Sequence, residues 1–287
     1  MITRFFMINI NGTIFDDSKA KLSPYNRGFA YGDAVFETLK INKNKPLFWE
    51  SHYFRLMASM RILRMEIPMN FTLEFLEEQI MSLVHSLPSI AVSYRAKLTV
   101  FRDSEGYYTP DTNSVSFIIS VSELNSDIYK IYDHSYEIEL FKDYFIAPNL
   151  LSTLKTNNKV VNVVGSIFAK ENNYNNCLLL NTNKNVIEAL NSNVFLVNGT
   201  TIKTAPLTDG CLKGIVREKL IEIISKSSEY KLDESSISPF ELQKADEIFI
   251  TNIIQGIVPV TKYRKKAYAS EVSKALLGML NTKLRLG

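Results

Sequence analysis

Two cysteines among 287 residues are few, and they exclude a good deal. Cys177 sits inside the apolar run CLLL and Cys211 inside TDGCLKG. Two thiols so placed build neither a disulfide framework nor a zinc site of standard spacing. Their scarcity suits a reducing cytoplasm. Long hydrophobic runs are missing too: none approaches the roughly 18 residues a spanning helix needs. The opening MITRFFMINI reads as a short strand with no cleavage-type sequence behind it, so neither export nor membrane insertion is expected. A net charge of +3, with no block of Lys and Arg, leaves no electrostatic footprint for a nucleic-acid partner. What is present is ordinary for a globular protein: 46% hydrophobic and 22% charged residues. The length suggests two domains or one large one.

In chain order, FFMINI and TIFDD flank Asn11-Gly12, a strong signal for a β-hairpin. A turn-rich segment, NRGFAYGDAVFET (26–38), passes into a strand. Phe54, Met57, Met60 and Leu63 recur at spacings of three and predict one face of a helix, with Arg55 off that stripe. A second helix is expected from Thr72, a plausible N-cap, to His85. Alternation puts Tyr94, Ala96, Leu98, Val100 and Arg102 on one strand face. An arginine there needs an anionic partner. After Glu105-Gly106-Tyr107 and the strand VSFIISVS, a polar break divides a small α+β domain, 1–123, from a larger, mostly β domain, 124–287. The second half adds the strands CLLLN, VIEAL, NVFLVNG and EIFIT. Among them, Val216, Leu220, Ile223 and Ile224 mark a helix. Gly214 opens that helix, whose free N–H groups and positive dipole end would make a phosphate cradle.

The stretch from 151 to 197 carries the chemistry. Lys155 stands just outside a helical segment among Thr153, Thr156, Asn157 and Asn158, and Glu188 lies near the start of an apolar strand. A lysine beside an apolar run can have its pKa lowered toward neutrality, as Schiff-base chemistry requires. The same residue types equally describe a solvated lysine in a polar loop.

Taken together, these segments resemble the class IV aminotransferases, enzymes of pyridoxal 5'-phosphate (PLP) with fold type IV. That family pairs its Schiff-base lysine with an asparagine three residues on, as in Lys155-Thr-Asn-Asn158. Ile187-Glu188 followed by Asn193-Val-Phe195 is similar to its pyridine-binding segment, HYFRL around Arg55 to its phosphate arginine motif, and Leu212-Lys-Gly214-Ile215-Val216-Arg217 to its phosphate turn. The most specific match is ADEIFITNIIQGIVPV (245–260), with the Asn252-Ile253 loop.

The resemblance implies a small N-terminal α/β sandwich, a larger β-barrel-like domain with helices, a cofactor at the domain interface, and a cytoplasmic homodimer acting on a small amino substrate. It assigns Lys155 as catalytic residue, and Glu188, Arg55, Leu212, Gly214, Ile215, Val216, Asn252 and Ile253 as cofactor ligands. Tyr31, Phe36, Thr38, Arg102 and Tyr107 fall on the substrate side; no metal is implied. Subtype stays open. Branched-chain aminotransferases carry a tyrosine where Val160 stands and an arginine where Ala96 stands. The arginine and histidine that D-amino-acid aminotransferases use after Arg102 are absent from Asp103 to Tyr108. The remaining pieces sit nearest the branch of aminodeoxychorismate lyase and the D-amino-acid enzymes, with a branched-chain aminotransferase or a non-catalytic member as the alternatives.

Overall fold

The computed structural model describes residues 7–88, 91–131 and 134–286. The architecture is α+β, and the chain divides into two units. The first takes the described residues up to Asp127 together with Lys155–Asn158; the second takes Ile128–Leu154 and the described residues from Lys159 onward. Among the described residues no helix is long and apolar enough to cross a membrane.

The first unit is a six-stranded sheet under helices. Strands β1 (Met7–Ile10) and β2 (Thr13–Asp16) form the expected hairpin, with Asn11 and Gly12 both at positive φ, 51° and 89°. Phe5 and Phe6, read as part of the first strand, lie outside the described residues. Then follow α1 (Arg27–Ala30), β3 (Ala34–Asn42), β4 (Lys45–Pro46), α2 (Trp49–Ile62), α3 (Leu73–His85), β5 (Ser93–Arg102) and β6 (Val115–Leu124). The sheet order is β2-β1-β6-β5-β3-β4, with β5 antiparallel to both neighbours. One sheet face carries Val35, Leu39, Ala96, Leu98, Val100 and Ile119, and it packs with Leu56, Met57, Met60, Leu76 and Ile80 of the helices. Each fully buried Leu, Ile or Met there contributes about 1.5–3 kcal/mol.

Thr72 caps α3 through its side chain, as expected. The stripe expected on α2 needs correction: Phe54 is 59% exposed, and the buried positions are Trp49, His52, Leu56, Met57, Ser59 and Met60. A strict spacing of three falls about 60° short of a full turn at every step and walks around the helix. The core stripe alternates threes and fours, and it takes in His52 beside Arg55.

The second unit holds β7 (Glu137–Ile146), α4 (Val160–Glu171), β8 (Asn176–Asn181), β9 (Val186–Ala189), β10 (Ser192–Asn198) and β11 (Thr201–Thr204). It continues with α5 (Ile215–Ser225), β12 (Lys231–Glu234), α6 (Pro239–Leu242), β13 (Glu247–Asn252) and β14 (Gly256–Val260), then the short β15 (Lys262–Tyr263) and β16 (Lys266–Ala267), and α7 (Glu271–Leu286). The parallel pairs β7–β8 and β11–β12 are bridged by α4 and α5, since parallel neighbours need a crossover. Strand β10 pairs with β9, β11 and β13. Its Phe195 ring stacks on Phe249 of β13 at 5.0 Å. The strands and the helix read from sequence in this half are β8, β9, β10, β13 and α5.

Candidate active site

The expected residues fall into two groups, one in each unit. In the first, Lys155 is held by backbone. Phe36 N donates to Lys155 O (2.8 Å) and Asn157 N to Ala34 O (3.0 Å), with a bridge between Val35 and Thr156. Strand β4 covers β3 only at Ile41 and Asn42, and residues 155–157 pair with the opposite end of β3. The asparagine of the Lys-x-x-Asn motif has a local task as well. Its amide donates to Gly32 O, and Gly32, at φ 64°, has no room for a Cβ, which would meet Asn158 Oδ1 at 2.5 Å. The Lys155 ammonium stands 4.6 Å from the centroid of the Phe36 ring, a favourable cation–π placement.

Beneath this strand, on the helix side, Glu37 is enclosed. Arg55 grips it from two nitrogens, Nε at 2.8 Å and Nη2, and His52 Nδ1 lies 2.7 Å from it. Burial would raise the Glu37 pKa, but the charge and fork of Arg55, then His52, hold it at about 2. Burial lowers the His52 pKa, helped by the charges of Arg55 and Lys155 and opposed by Glu37. The neutral ring donates from Nδ1, and its buried Nε2 has no partner among the described residues. Two of the N–H groups of Arg55, the expected phosphate ligand, are thus engaged by Glu37, a carboxylate that sequence reasoning passed over.

The substrate-side residues divide. Phe36 and Thr38 share the sheet face of Lys155, Thr38 being 8% exposed. Tyr31 lies against Tyr108, ring centroids 5.7 Å apart, whereas the Tyr107 ring is 86% exposed. Arg102 is corrected from substrate ligand to structural hub. It donates to Asp33 Oδ2 (2.9 Å), Arg64 O (3.2 Å), Leu63 O (2.7 Å) and Asn113 Oδ1, and it is 6% exposed. Asp33 also accepts from Arg27 Nε, and Arg27 in turn donates to the carbonyls of Gly106, Tyr107 and Tyr108. The anion that Arg102 requires is therefore Asp33, six residues from Arg27 and hidden in the turn-rich segment.

In the second unit the β9–β10 turn sets Glu188 opposite Asn193. Glu188 Oε2 accepts from Leu212 N (2.8 Å), and Asn193 Nδ2 donates to Leu212 O (2.8 Å), so both side chains grip one peptide segment. Two residues on, Gly214 is the N-cap of α5; a Cβ there would meet Asn193 Oδ1 at 1.9 Å. Its φ of −74° is open to any residue, so the requirement is space. Thr251, opposite Asn193 in the β10–β13 pairing, is 2% exposed, and its hydroxyl has no partner among the described residues. Next to it, Asn252 Oδ1 accepts from Ile254 N and Gln255 N and shapes the loop that carries Ile253. An anionic ligand at the start of α5 would be met by the N–H groups of Ile215 and Val216 and by helix polarity. The orphaned Thr251 hydroxyl and the obligatory glycine fit a phosphate-bearing group, and a carboxylate fixed like Glu188 fits a protonated ring nitrogen. Lys159, which carries a pKa lowered by burial and raised in part by Glu188, is a neighbour that the sequence did not suggest. Cys177 and Cys211 are fully buried, and burial pushes the Cys211 thiol up to about 12, so neither is a nucleophile.

The family model described as amino-transferase class IV matches residues 34–263. The chain is 24% identical to D-alanine aminotransferase of Staphylococcus epidermidis over 258 residues, 88% of this chain and 87% of the other. It is likewise 24% identical to aminodeoxychorismate lyase of Bacillus subtilis over 277 residues, 94% and 90% of the two chains. The crystal structure of the Escherichia coli branched-chain amino acid aminotransferase superposes with a TM-score of 0.86 at 20% identity, covering 98% of this chain and 95% of that one. With four fifths of its length matched by the model, the chain belongs to the class IV aminotransferase family of PLP-dependent enzymes.

Proposed function

We propose that this enzyme acts through Lys155 on a small amino substrate, in the branch of D-amino-acid aminotransferases and aminodeoxychorismate lyase. The observation that carries this reading is the seating of Lys155: its main chain is fixed on β3 by hydrogen bonds while its ammonium stands over Phe36. A side chain so held is positioned to act repeatedly at one point. When bound, PLP supplies an aldehyde for the lysine amine and a ring that accepts the electron pair left at the substrate α-carbon. Lys155 moves the proton at that carbon. Glu188, fixed by Leu212 N, keeps the ring nitrogen protonated. The start of α5 with Gly214, Ile215 and Val216, the Thr251 hydroxyl with Asn252 and Ile253, and Arg55 braced by Glu37 anchor the phosphate. Anchoring at that end leaves substrate binding energy for the reacting end.

The test is spectroscopic. Purified protein with PLP should show a near-ultraviolet to violet chromophore that borohydride abolishes, with the reduced adduct on the peptide containing Lys155. Lys155→Ala should stay folded and lose the adduct; an adduct persisting in that variant would place the aldehyde on another lysine. A panel of amino donors with pyruvate or 2-oxoglutarate, run beside an aminodeoxychorismate elimination assay, then separates aminotransfer from elimination.

A further inference from the structure

The second unit holds a cleft whose lining includes neither Glu188 nor the start of α5. Its volume is about 490 Å³, within the range of small-molecule sites. The apolar wall is β14, through Ile257, Val258 and Pro259, with the rings of Tyr136 and Tyr268. Both tyrosines spend their hydroxyls on the protein: that of Tyr136 accepts from Asn176 Nδ2 (3.2 Å), and that of Tyr268 donates to Leu242 O. What they add to the cleft is ring surface. The His134 ring stands beside Tyr136, centroids 6.3 Å apart. Lys130, Lys274 and His134 supply basic groups, whereas no Asp or Glu is among the described residues that line the cleft. Lys274 reaches it from the first turn of α7. Asn281, seven residues on and so on the same helix face, holds the backbone of Tyr129, beside Lys130, through hydrogen bonds of 3.3 and 2.9 Å.

We propose that this cleft binds a small organic carboxylate with an apolar, ring-sized body, and that its occupancy steadies the loop from Asn252 to Gly256. A lone surface lysine is ordinarily solvated. Here two lysines and a histidine meet on one concave, partly aromatic surface with no acid to answer them, which suits an anion carrying an apolar part. An inorganic anion lacks the part that the rings and β14 would cover. The tie to the loop is direct. Gln255 lines the cleft, and its Oε1 accepts from Asn252 Nδ2 at 2.8 Å. A carboxylate accepting from the Gln255 amide nitrogen would hold that side chain where it clasps Asn252. Tyr129 donates its hydroxyl to Ile253 O (2.7 Å), and its ring covers Gly256, where a Cβ would come within 2.5 Å of it. The tie reaches the cofactor because Asn252 and Ile253 anchor the phosphate in the proposed function, on which this part of the inference rests. Its sign is positive, since both links hold the loop in place.

Benzoate and benzamide test the site, since they share a ring and differ in charge. Calorimetric titration of the PLP-loaded protein should show benzoate binding about three- to tenfold tighter than benzamide, a modest ratio because both lysines are exposed and exposed ion pairs contribute little. Added salt should shrink the ratio. Acetate, without a ring, should bind about tenfold more weakly than benzoate. The double variant Lys130→Met, Lys274→Met should bring the ratio near one. Benzamide or acetate binding as tightly as benzoate, or an undiminished ratio in the double variant, would overturn the site. Benzoate should also shield Lys130 and Lys274 from acetylation in the unaltered protein, which places the site without any variant; absence of shielding overturns it too. At saturation benzoate should tighten PLP binding about fivefold or more, and Gln255→Leu should cancel that gain. A PLP affinity unmoved by benzoate removes the tie to the loop. Borohydride reduction at Lys155, measured on the same preparation, judges the enzymatic reading separately: a missing adduct removes that reading and leaves the carboxylate site standing.

Discussion

At the scale of single residues, burial with or without a partner decides what a side chain is for. Arg102 and Lys97 stand on the same strand, yet Arg102 meets four protein acceptors and Lys97 meets an aromatic ring and another cation. Replacing Arg102 by Leu leaves Asp33, two carbonyls and Asn113 short of a donor. We expect it to cost about 3–5 kcal/mol, the usual penalty for breaking a buried pair, and to lower Tm by several degrees, with KM nearly unchanged in the protein that remains folded. A variant with native Tm and a raised KM would return Arg102 to the substrate. The sequence showed that this arginine needed an anion, because its parity with Leu98 and Val100 was readable. It did not show which anion, because Asp33 lies 69 positions away and only the folded sheet brings the two together.

At the scale of elements, the start of α5 joins three separate segments: Glu188 and Asn193 from the β9–β10 hairpin, Leu212 and Gly214 before the helix, and Thr251 from β13. Gly214→Ala forces Asn193 to release Leu212. The expected result is a loss of PLP affinity of about tenfold or more with a stability cost of about 1–3 kcal/mol, read by cofactor titration and thermal melting. Unaltered affinity would detach this turn from the cofactor. A glycine ahead of an apolar helix is by itself a weak signal, commonly just a turn, and this element was marked by the likeness of the whole segment from Leu212 to Arg217 to the family's phosphate turn. The strands of strict alternation, β5 above all, were equally legible. Helix α7 went unread: Val272, Leu276 and Leu280 do recur at fours, but its first N–H groups are capped by Glu247 of β13, with Val272 N at 2.7 Å and Ser273 N at 3.0 Å. A cap supplied from 25 residues upstream leaves no mark beside the helix. Thr251 was likewise recognised only as part of a motif, because an unmet hydroxyl is a property of packing.

At the scale of the whole molecule, buried groups of the first unit set the response to acid. His52 has its pKa lowered below 6.5, and Glu37 is held at about 2 against an ordinary 4.5. As pH falls below 6.5 the unfolded chain takes up a proton at His52 that the folded chain resists. Below 4.5 the same holds at Glu37. Both contributions are therefore present near neutrality and lost on acidification, that of Glu37 amounting to about 3 kcal/mol. Tm should decline steadily from pH 7 to pH 3, and Glu37→Gln, already weaker at pH 7, should show a shallower decline below pH 4.5. A Tm independent of pH over that range would contradict the buried network. The placement of Lys155–Asn158 has a different consequence, one for synthesis. The polypeptide leaves the first unit after Asp127, returns for these four residues and leaves again. A ribosome that has released only residues 1–127 has therefore delivered a sheet whose β3 edge, at Ala34 and Phe36, lacks its hydrogen-bonding partner. Cutting the gene between the two units cannot give an intact first half, and Lys155 is among the last residues that this half receives.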